Sequence, residues 1–90
     1  MVPLIFIERS VVVERIYKFA VVLEPAEEGG FIVHVPALPE ICTEGDDEAH
    51  ALAMAKDAIE LVIASRLERG EPIPVEHGKP VLRDVVAHVA

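Results

Sequence analysis

From Glu48 to Arg69 the chain runs without a glycine or a proline, and alanine, leucine and other strong helix formers dominate it. A segment of that length predicts one helix of roughly 33 Å at 1.5 Å per residue. Its ends are marked as well. Asp47 is placed to cap the first turn, Glu48 adds a negative charge that the helix dipole favours, and Arg66 and Arg69 put cations in the last turn before Gly70. Leu52, Ala55, Ile59, Val62, Ile63 and Leu67 fall on one buried stripe, widened by Ala51, Met54 and Ala58. Ninety residues leave room for one core, so the rest of the chain has to supply what this helix packs against.

The residues before it read as strands. Short β-branched or aromatic runs recur: Leu4-Ile5-Phe6-Ile7, Val11-Val12-Val13 and Phe19-Ala20-Val21-Val22-Leu23. Over Tyr17 to Glu24 the residues Tyr17, Phe19, Val21 and Leu23 take one face and Lys18, Ala20, Val22 and Glu24 the other; Phe31, Val33 and Val35 repeat the alternation. Gly29-Gly30 between them supplies the positive φ that closes a hairpin. Pro36-Ala37-Leu38-Pro39 stops the second strand, and a short crossing segment, Ile41 to Glu44, leads to the turn before the helix. The valine-rich tail, Pro80 to Ala90, is expected to be a last strand, with a short helix from Asp84 as the other reading of the same pattern. The fold class is therefore α+β: a two-layer sandwich with an antiparallel-rich sheet, one long helix and an extra N-terminal strand. Residues 1–16 form that strand extension and residues 17–90 a single domain.

Sixteen acidic against eight basic residues give a net charge of −8, which repels phosphate backbones and anionic membranes and attracts a basic partner. With 52% hydrophobic residues and a mean hydropathy of +0.40, the chain has more apolar surface than a thin core absorbs, and a homodimer or higher homo-oligomer is the expected outlet. Met1 to Ile7 lacks a basic leader and meets Glu8 and Arg9 too early for a secretory segment, and no apolar run reaches the ~18 residues of a membrane helix. A soluble, cytoplasmic protein is expected. The inventory for catalysis is thin. Cys42 is the only thiol and reads as a packing residue; His34, His50, His77 and His88 show no metal-ligand spacing, and His50 reads as a surface residue at the third helical position. Glu44, Asp46, Asp47 and Glu48 lack the alternating ligands of a calcium loop, so neither a metal nor a cofactor is expected.

Tyr17, Val22-x-Glu24, Gly30-Phe31-x-Val33-x-Val35-Pro36-x-Leu38-Pro39, Thr43-x-Gly45-Asp46-Asp47, then Ala51, Ala55, Ala58-Ile59 and Ile73-Pro74 occur in this order and spacing. The series, about two thirds of the chain, resembles the HicB antitoxin family. Pro39-Glu40-Ile41-Cys42 departs from it, standing where members often have Pro-Gly-Cys. The resemblance implies a degraded ribonuclease-H-like βββαβ unit and a partner, a small basic HicA-like ribonuclease toxin whose active histidine the antitoxin covers. Ribonuclease H chemistry needs clustered carboxylates for two magnesium ions. Phe19 to Val22 are apolar where the first of these belongs, so the chain is expected to be no enzyme. Residues 76–90 are too short for the separate DNA-binding module that many members carry, which argues against operator binding. The expected function is neutralisation of a HicA-like toxin in a toxin–antitoxin system. The other reading is a stand-alone oligomeric regulatory or ligand-binding module. Glu27, Glu28, Glu44, Asp46 and Asp47 are the candidate partner-binding residues.

Overall fold

A computed structural model describes residues 15–90. Three strands, β1 (Val22–Pro25), β2 (Phe31–His34) and β3 (Cys42–Gly45), are followed by one helix, α1 (Glu48–Glu68). The strands pair antiparallel in the order β1-β2-β3, with Val22 opposite His34 and Phe31 opposite Gly45 as the outer pairs. The architecture is α+β, one antiparallel sheet covered on one face by one helix, as the breakers and periods predict.

The hairpin turn closes through Ala26 N–H to the Gly30 carbonyl (3.0 Å) and Gly29 N–H to the Ala26 carbonyl (3.1 Å). Gly29 and Gly30 sit at φ +101° and +77°, the region that side chains disfavour. Tyr17 to Val21, expected in the first strand, lie outside the ladder. In the observed register Ala20 would face Pro36, which has no N–H to donate and where β2 ends. Phe19, Val21 and Leu23 nevertheless pack on the core, so the alternation predicted their face without their hydrogen bonds.

The helix ends follow the sequence closely. Asp47 is the N-cap and its Oδ1 accepts from His50 N–H at 2.8 Å. At the other end Gly70, φ +71°, donates to the Leu67 carbonyl and Glu71 N–H to the Arg66 carbonyl, the paired bonds of a Schellman motif. Replacing Asp47 by alanine is expected to lower stability by about 1 kcal/mol while serine retains most of it, measured by urea unfolding.

Val33, Val35, Leu38, Ile41, Ala51 and Ala55 form the buried core, with Phe31, Ala58, Ile59 and Val62 against it. Two of the residues expected in the buried stripe are corrected: Leu52 is 44% and Leu67 41% exposed. Four-residue strands are about 13 Å long and α1 about 31 Å, so the sheet is too small to cover the whole stripe. Cys42 is also corrected. It is exposed on the open face of the sheet, opposite His34, and lies outside the core. The tail shows neither the expected strand nor a helix: residues 79–90 have no regular secondary structure and are exposed. The expected strand extension, residues 1–16, lies outside the described residues except for Arg15 and Ile16, both exposed and in no strand.

Candidate functional site

The β1–β2 turn and the β3–α1 turn sit side by side at one end of the sheet. The pairing of Phe31 with Gly45 sets this, and Gly30 lies so close to Gly45 and Asp46 that an added Cβ would stand 2.5 Å from the Gly45 carbonyl oxygen. Glu27 and Glu28 are exposed in the first turn, and Asp46, Asp47 and Glu48 are exposed in the second. Glu44 is exposed too, opposite Ile32 on β2, so it belongs to the open sheet face that adjoins this end. Four of the five candidates thus share two neighbouring turns and the fifth flanks them. Among the described residues no lysine or arginine forms an ion pair with any of the five.

The two aspartates differ in freedom. Asp47 is committed to the helix cap, whereas the Asp46 side chain is 96% exposed. The backbone N–H of Asp46 donates to His50 Nδ1 at 3.0 Å, so the imidazole closes the turn from the third helical position, reaching the residue before the N-cap where a capping-box glutamate reaches the N-cap N–H itself. His50 is exposed, as expected of a surface residue at the third helical position, and its contact with the Asp46 N–H adds to that reading.

At the opposite end of α1 a second polar group positions the connections. Arg66 Nη2 donates to Glu40 Oε2 at 2.7 Å and Nη1 to the Pro72 carbonyl at 3.4 Å, tying the β2–β3 connection to the segment that leaves the helix. The Arg66 hydrogen bond holds the Glu40 carboxyl below its ordinary range, and the Arg69 guanidinium does the same to Glu71. Glu40, Arg69 and Glu71 are exposed and Arg66 is half-buried, and both pairs are structural in placement. The open sheet face carries one more, His34 Nε2 to Glu24 Oε1 at 3.2 Å.

Among the described residues no group of three or more histidine, cysteine or acidic side chains is arranged to hold a metal ion, and no helix is long and apolar enough to cross a membrane. What this end of the molecule offers is concentrated negative charge on two neighbouring turns, a surface that can attract and orient a cationic partner.

No family model matches the chain. Among curated proteins, it is 42% identical over 69 residues to Antitoxin HicB 1 of Photorhabdus laumondii, which covers 77% of this chain and 43% of that protein. It is 38% identical over 58 residues to Antitoxin HicB of Escherichia coli K12, covering 64% of this chain and 42% of the relative. The chain therefore spans less than half the length of the antitoxins it matches. A UPF0150 protein of Thermoplasma acidophilum is 34% identical over 64 residues, and there the match takes in 71% of this chain and 93% of the relative. With nearly the whole of a short relative matched, and with most of this chain also matching a longer antitoxin, the chain belongs to the HicB-like (UPF0150) family.

Proposed function

We propose that this protein is an antitoxin that binds and neutralises a small basic HicA-like ribonuclease toxin, acting by contact and not by catalysis. The observation that carries this reading is the similarity to two proteins named HicB antitoxins, at 42% and 38% identity. The charge distribution supports it. A net charge of −8, with Glu27, Glu28, Asp46 and Asp47 at one end of the sheet and Glu44 flanking them, suits a cationic partner and accelerates its encounter. These five residues are the proposed contact surface.

Co-expression with a HicA-like toxin of the same organism tests the function: relief of growth arrest supports it, and arrest undiminished by a folded, abundant antitoxin rejects it. The surface is tested by surface plasmon resonance with Glu27→Lys, Glu28→Lys and Asp46→Lys combined, leaving the cap Asp47 intact. The association rate is expected to fall about ten- to a hundredfold at low salt, with the difference shrinking as salt rises. An unchanged rate removes these residues from the interface.

A further inference from the structure

We propose that the β3–α1 turn is a proton-sensitive latch, held closed by neutral His50 and released when its ring takes up a proton. The observation that carries this is which nitrogen makes the contact. His50 Nδ1 accepts from the Asp46 backbone N–H at 3.0 Å, so that nitrogen bears a lone pair and the ring is the neutral Nε2–H tautomer. The backbone N–H of the same residue donates to Asp47 Oδ1 at 2.8 Å. One histidine therefore fastens the turn twice, and only the ring contact depends on its protonation.

A proton on Nδ1 turns the acceptor into a donor and sets it against the Asp46 N–H, which then loses its partner. A new acceptor lies on the same residue. Asp46 Oδ2 is 3.6 Å from Nδ1, and that side chain is 96% exposed, so no packing opposes its turning toward the ring. Protonation thus exchanges a bond to the backbone for one to a carboxylate. Asp46, Asp47 and Glu48 lie in the turn and at the start of α1, Glu44 precedes them on β3, and the neighbouring β1–β2 turn, which meets Asp46 at Gly30, adds Glu27 and Glu28. These carboxylates attract the imidazolium, whereas the positive end of the helix dipole repels it. The first cation along α1, Lys56, is paired with Glu60. The release is confined to Asp46, because Gly45 before it is wedged against Ala51 and Asp47 after it keeps its cap. The freest carboxylate of the acidic end is then offset by the imidazolium, and the attraction of that end for a cationic partner weakens as pH falls from about 8 to about 5, the range in which imidazole titrates.

Nuclear magnetic resonance of the full chain tests this directly. At about pH 8 the ring nitrogen shifts of His50 should identify the Nε2–H tautomer, and on lowering the pH to about 5 the Asp46 amide proton should move upfield along His50's own titration curve as it loses its hydrogen bond. In His50→Gln the carboxamide oxygen accepts the same bond without titrating, so the Asp46 amide should stay in place, with the helical circular dichroism retained because the Asp47 cap bonds to the backbone N–H of residue 50. The Nδ1–H tautomer at His50 at the higher pH overturns the proposal, as does an Asp46 amide that does not follow His50. So does one that moves equally in His50→Gln, the result expected if carboxylates or the other histidines drive it. The spectra are read on the protein alone, so this test stands or falls independently of the antitoxin reading.

Discussion

Gly45→Ala is expected to destabilise the protein by about 3 kcal/mol, at the upper end of what overpacking costs, and in a domain of 5–15 kcal/mol total stability this leaves little margin. The reason is steric. Gly45 ends β3 beneath the first turns of α1, and a Cβ there would stand 2.3 Å from Ala51 N and 2.4 Å from Ala51 Cα. Neither atom belongs to a flexible side chain; both are helix backbone, so the whole helix has to lift away from the sheet. Ala51 is itself fully buried against the core, and lifting it exposes Val33 and Leu38. Thermal unfolding of Gly45→Ala beside Gly29→Ala separates this effect from backbone conformation. Gly29 needs its positive φ but has no atom within 4 Å of its missing Cβ, so its substitution should cost less. Equal stability of Gly45→Ala and the parent would show that the helix does not seat as described.

Leu38→Ala should cost about 2–5 kcal/mol, the range for truncating a buried leucine when its surroundings collapse only in part. Leu38 is fully buried although it belongs to no strand or helix. Two turns hold it there: Leu38 N–H donates to the Val35 carbonyl at 2.8 Å, and the Leu38 carbonyl accepts from Ile41 N–H at 3.0 Å. With Pro36 and Pro39 framing it, the connection between β2 and β3 is stiff and delivers one side chain into the core between Val35 and Ile41. Denaturant titration should show a lowered midpoint with the slope nearly unchanged. Leu61→Ala, on a helix residue 72% exposed, is the control and should change stability by less than ~0.5 kcal/mol.

The candidate site was legible in the sequence as charge and illegible as geometry. Glu27 and Glu28 lie some twenty residues from Asp46 and Asp47, and only the register that sets Phe31 against Gly45 puts their turns together. Asp47 could be named a cap from its position before a glycine-free, proline-free run, since capping is a contact of three residues' span. The role of Arg66 could not be read this way. Its partner Glu40 is 26 residues distant, and nothing local distinguishes that glutamate from the others.

Local chemistry determined most of the elements. The two glycines of the hairpin, the aspartate and glycine that bound the helix, and the alternating faces of Phe19 to Leu23 and Phe31 to Val35 all act over a few residues, where propensity and sterics decide. Tertiary structure alone decided which apolar residues are buried. Periodicity assigns Leu52 and Leu67 to the same stripe as Ala55 and Ile63, but burial depends on how far the sheet extends beneath them, and a sheet of three four-residue strands extends too little. The valine-rich tail shows the same division. Its pattern specifies an element that needs a partner surface, and among the described residues no strand pairs with it.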